Sequence, residues 1–189
     1  MNQEPSFDRL IADGLEASRD NRMEAALALF AQAGALAPAS GVPHFLSGSE
    51  HANAGNIELA EAAFARAVLL APDFALARYQ LGLLQFSSQR AAMALVTWQP
   101  LLELPATDAL GHFVRGFAAL ARDAFPEAIA HYRDGLACND VNPAMASDIL
   151  QVVEAVEKLG STPPPEAGAA DADPDARHVL LSGYAGRLH

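Results

Sequence analysis

Glycine recurs at Gly14, Gly48, Gly82 and Gly116, a step of 34 each time. Alanine keeps that step at Ala26, Ala60, Ala94 and Ala128, and an aromatic side chain keeps it at Phe30, Phe64, Trp98 and Tyr132. Three columns in phase over four units mean one supersecondary unit repeated. A unit this short cannot bury its apolar face alone, so it must stack on copies of itself. Pro38 and Pro72 close the first two units; Pro105 comes one place early in the third, and Asp140 takes the place in the fourth.

Each unit reads as a helical hairpin. In residues 41–74 a first helix opens near Pro43 and carries Gly48 in its middle. The chain breaks at Ala54-Gly55, and a second helix runs through Ile57, Ala60, Phe64, Ala67 and Val68 to stop at Pro72. A glycine inside a helix costs about 1 kcal/mol relative to alanine. Gly48 therefore points to a close approach of another backbone, with Ala60 as the small residue expected to allow it.

Caps and breakers set the remaining boundaries. Ser6 can cap a helix from Phe7 to about Arg19, and the turn Asp20-Asn21 leads into Arg22 to Ala37. Asp73 can cap Phe74 to Phe86, either Thr107 or Asp108 can open the fourth unit, and Pro126 falls in a first turn. Asn142-Pro143 opens a ninth helix ending at Leu159, with Gly160 as its stop. Its apolar stripe of Met145, Ile149, Val152, Val153, Val156 and Leu159 suits a helix lying on the last repeat. Pro100 sits inside the second helix of the third unit, where it removes a hydrogen bond and bends the helix. A bend on the outer surface is the simplest account; a changed pitch is the other.

Charge and composition narrow the partners. The 189 residues carry a net charge of −11, and Lys158 is the single lysine, so neither a phosphate backbone nor an anionic membrane surface is expected. The start, MNQEPSFDRLIADG, lacks a basic segment followed by an apolar one, and no stretch approaches the ~20 apolar residues of a membrane span. One cysteine, Cys138, leaves no internal disulfide. Together these make a cytoplasmic chain the expectation. His44 and His51 stand seven apart and do not chelate as an i, i+4 pair does. No phosphate loop, Cys-x-x-Cys or His-Glu-x-x-His is present, so neither catalytic residues nor a metal or cofactor are expected.

Taken together, the columns, the terminal prolines and the 34-residue period resemble the tetratricopeptide repeat family over residues 7–159. The family's early aromatic is replaced by His44, Arg78 and His112, and Asp13 stands where a leucine is usual. The resemblance implies an all-α fold, a right-handed superhelical solenoid of antiparallel helix pairs. Its repeats fall at about 7–40, 41–74, 75–108 and 109–141, with a capping helix at 143–159. Flanking these are a disordered start (1–6), a Pro-, Ala- and acid-rich linker (160–176) and an apolar segment (177–189).

Family positions on the concave face map to Phe45, Leu76, Tyr79, Leu83, Phe86, Phe113, Phe117 and Leu120, beside Ile11, Leu15, Val42 and Leu110. The carboxylate clamp of chaperone-binding members has no counterpart, because no lysine precedes Lys158. The resemblance implies a non-enzymatic adaptor, scaffold or chaperone-like module that takes an apolar peptide. A chaperone like those of type III secretion translocators, or an enzyme's accessory subunit, are the alternatives. The chain's own tail, Arg177 to His189, is a further expected occupant, in cis or in a swapped dimer. Leu180, Tyr184 and Leu188 would give it one apolar face.

Overall fold

Side chains that accept backbone N–H groups start several of the helices. In the computed structural model, which describes residues 6–138 and 142–160, Ser6 accepts from the Arg9 N–H at 3.3 Å and opens α1 (Phe7–Arg19). The helices that follow are α2 (Met23–Leu36), α3 (Val42–Asn53), α4 (Ile57–Leu70), α5 (Ala75–Ser87) and α6 (Ala91–Leu102). They are succeeded by α7 (Ala109–Leu120), α8 (Phe125–Leu136) and α9 (Pro143–Gly160). Asp108, not Thr107, caps α7, its carboxylate accepting from the Gly111 N–H at 3.2 Å. Asn142 does the same for α9 through Ala144 at 2.9 Å. The expected start at Phe74 moves to Ala75, because the Phe74 N–H turns back to the Ala71 carbonyl at 3.0 Å. Gly160 was expected to stop α9 but is itself its last helical residue. Of the disordered start expected at 1–6 only Ser6 is described, and it caps α1; of the linker expected at 160–176 only Gly160 is described, and it belongs to α9. The rest of both, and the apolar segment at 177–189, lie outside the described residues.

The two helices of each hairpin are joined in one way. Asn21, Gly55, Gln89 and Asp123, again 34 apart, have φ values of 56°, 74°, 63° and 58°. The next residue's N–H reaches back five positions, from Arg22 to Ala17, Asn56 to His51, Arg90 to Gln85 and Ala124 to Ala119, at 2.8–3.0 Å. This is a Schellman C-cap, which satisfies carbonyls the ending helix leaves free. The same residue then serves as N-cap of the second helix, without a side-chain bond, so the reversal is very short.

The chain divides inside α5, between Leu84 and Gln85, into two compact units. In the first, α1 packs on α2 and α3 on α4 as antiparallel pairs, and α2 packs on α3. Ala17, Ala26 and Phe30 form one core cluster; Ala60, Phe64, Leu81 and Leu84 form another, with Phe45, Ile57 and Val68 against it. In the second unit α7 pairs with α8, α6 packs on α7, and α9 lies on α8. Ile149, Val152, Val153 and Val156 of α9 are buried, as their stripe predicts. The alanine column has no exposed surface at all, each of its four members reading 0%.

The glycine column has a different neighbour from the one expected. A Cβ on Gly48 would lie 2.7 Å from Cδ1 of Phe64, and one on Gly116 2.6 Å from Cδ1 of Tyr132. Gly14 meets Phe30 in the same way. The close approach is thus between the first helix and the aromatic column, sixteen positions on, rather than with Ala60. Gly14, Gly48 and Gly116 each leave a slot that a flat ring fills.

Candidate functional site

The eight residues assigned to the concave face divide by burial. In the first unit Tyr79 and Leu83 are buried, while Phe45 and Leu76 are half-buried. In the second, Phe86, Phe113 and Phe117 are buried and Leu120 is half-buried. The burial of the second group has a local cause. Phe117 stacks on Trp98 at 5.4 Å, meets Phe86 at 5.2 Å and contacts Tyr132 edge-on at 5.3 Å. Phe113 lies over Gly135, where a Cβ would come within 2.7 Å of its Cδ1. Such rings hold α6, α7 and α8 together.

Phe45 is placed differently. Its ring is held at 5.7 Å from Phe64 and 4.9 Å from Phe74, yet keeps part of its surface free. Leu76 and Leu120 share that half-exposed state on α5 and α7. Among the described residues the most exposed large apolar side chains fall elsewhere, on second helices: Leu69 of α4 at 67% and Val96 of α6 at 73%. Sequence reasoning passed over these, although Met93 and Val96 stand i, i+3 on one face.

Polar features occur in both units. In the first unit a hollow of about 360 Å³ is lined by Phe30, Pro38, Pro43, His44, Ser47 and Arg66, among others. Burial, then the Arg66 charge, holds the His44 imidazole below its ordinary value of 6.5. The α3 helix also carries a buried carboxylate, Glu50, which accepts a hydrogen bond from the Ser18 hydroxyl of α1.

In the second unit His112 of α7 and His131 and Asp134 of α8 each place a ligand atom within 4.8 Å of the other two. The two imidazoles stand 6.1 Å apart between centroids. Burial lowers the His131 pKa; His112 and Arg115 act in the same direction, and Glu127 and Asp134 oppose them. The sequence held half of this signal, in the i, i+3 step from His131 to Asp134 on one helix. The other half, His112, belongs to a different helix.

No protein-family model and no curated protein matches the sequence. Solved structures do match it in fold. One is "MamA 41-end from Desulfovibrio magneticus RS-1", 14% identical with a TM-score of 0.60, aligned over 96% of this chain and 92% of that one. A "MamA RS-1 ArsTM double mutant" gives the same identity and TM-score over 96% and 93% of the two chains. A further MamA crystal structure is 19% identical with a TM-score of 0.57, over 70% and 77%. At these identities the likeness is one of fold. The chain has an all-α, tetratricopeptide-like fold of antiparallel helix pairs. Among the described residues no helix is long and apolar enough to cross a membrane.

Proposed function

We propose that the chain is a non-enzymatic protein-interaction module, an adaptor or chaperone-like scaffold that binds an apolar peptide segment along its first helices. The observation that carries this reading is Phe45. It is an aromatic side chain fixed by two neighbouring rings and still partly open, as a preformed anchor for a ligand must be. Leu76 and Leu120 extend the same chemistry in their own units. Tyr79, Leu83, Phe86, Phe113 and Phe117 are buried and act as packing that fixes the helices of their own units.

The test is a selection from a displayed peptide library on the full chain, followed by affinity measurements on the winners. Peptides with aromatic or aliphatic anchors should be enriched, and Phe45→Ser or Leu120→Glu should weaken them about tenfold, roughly 1.4 kcal/mol, with helicity unchanged. Enrichment of purely charged peptides would overturn the reading. So would binding untouched by either substitution but abolished by Val96→Glu, which would move the site to a second helix. A finer proposal is that residues 177–189 occupy the same surface, in cis or from a second copy. Their apolar composition beyond a short linker supports it. Deleting residues 161–189 should then tighten peptide binding or change the oligomeric state; no change in either would remove the tail from consideration.

A further inference from the structure

We propose that His112, His131 and Asp134 form a binding site for a divalent transition-metal ion of the zinc class, joining α7 to α8. The His112 ring is already set for the task. Its Nε2 lies 2.8 Å from the Ala106 carbonyl oxygen. A carbonyl only accepts, so Nε2 carries the proton and Nδ1 keeps its lone pair. That Nδ1 is buried and has no hydrogen-bond partner among the described residues, and the Nδ1 of His131 is in the same condition. Orienting one imidazole nitrogen through a carbonyl bond on the other is how metal-binding histidines are commonly held. Asp134 lies one turn after His131 and is exposed, which leaves a path from solvent.

The fit is close without being complete. Zinc bonds of about 2.0–2.1 Å in a tetrahedron put ligand atoms roughly 3.4 Å apart. The three atoms now lie within 4.8 Å of one another and would draw together to that spacing on binding. Water completes the coordination, while Glu127, whose Oε1 is 4.0 Å from His131 Nε2, faces the nitrogen that does not ligate. Two imidazoles and a carboxylate suit zinc, cobalt and nickel better than the hard cations calcium and magnesium. The nearby guanidinium of Arg115 is turned to the Leu102 and Leu104 carbonyls, and that of Arg122 to Glu127. This site is independent of the apolar surface.

The experiment uses the full chain, stripped of metal and free of any affinity tag, titrated with zinc chloride by calorimetry and with cobalt chloride by visible absorption. Saturable binding of one ion per chain is expected, with shifts in the imidazole nitrogen resonances of both His112 and His131. His112→Gln and His131→Gln should each lower zinc affinity at least about tenfold. Asp134→Asn, at an exposed position, should lower it too. His44→Gln should leave it unchanged. Absence of saturable binding would overturn the proposal. So would binding that persists undiminished in all three site variants, or that leaves both imidazoles unmoved.

Discussion

A single methyl group is enough to probe the glycine column. Alanine in place of Gly116 should gain about 1 kcal/mol of helix propensity. Against that, its Cβ would meet the buried Tyr132 ring at 2.6 Å from Cδ1. The ring is boxed in by Phe117, so overpacking of about 1–3 kcal/mol should win. Gly116→Ala is therefore expected to lower stability, which urea unfolding would measure; a stabilised variant would mean the ring has room to move. His44 gives a residue-scale effect of pH. Its folded pKa lies below 6.5, so the unfolded chain takes up the proton first. The resulting loss of stability begins as pH falls through 6.5 and is complete below the depressed folded value. His44→Gln should narrow the difference in Tm between about pH 7.5 and about pH 5, with the sign of the change as the check.

At the scale of elements, the turn between paired helices carries the clearest prediction. A left-handed backbone costs a non-glycine residue about 1–2 kcal/mol, and glycine's greater unfolded freedom returns about half of that. Gln89→Gly should then stabilise by about 0.5 kcal/mol, and Gly55→Ala should destabilise by about 1 kcal/mol. Chemical denaturation of the pair would decide it, and opposite signs are required. Asp108→Ala should cost about 1 kcal/mol by leaving the start of α7 uncapped.

This is also where legibility ran out. Helices and their partners could be read from glycine, alanine and aromatic columns, because those positions demand a residue type. The turn column could be read only in part, at Asn21 and Gly55 but not at Gln89 and Asp123. Asn, Gly, Gln and Asp share a backbone conformation and little chemistry. The candidate metal site was hidden for a related reason. His112 and His131 stand close only because α7 lies against α8, and no fixed spacing along the chain records that. For the apolar face, the family resemblance supplied a set of positions on the first helices. It did not tell the rings that touch Trp98 or Gly135 from the one, Phe45, that stays partly open.

At the scale of the molecule, one residue separates the two units spectroscopically. Trp98 is the only tryptophan and is fully buried against Phe86 and Phe117. Its emission reports the aromatic stack of the second unit. Gly116→Ala should shift the folded-state emission by displacing Tyr132 against Phe117. Gly48→Ala, beneath Phe64 in the first unit, should lower helicity on heating without altering the native spectrum. Equal spectral shifts from both substitutions would contradict the local assignment.

The four left-handed turns have a consequence for how such a chain can change length. Each fixes where one helix ends and the next begins by backbone geometry alone, leaving the side chains there free to vary. The chain thus has something like a reading frame. An insertion of one residue beside Asp123 would throw the aromatic of α8 off the glycine of α7. A whole block duplicated from one such turn to the next would keep Phe30, Phe64 and Tyr132 over their glycines.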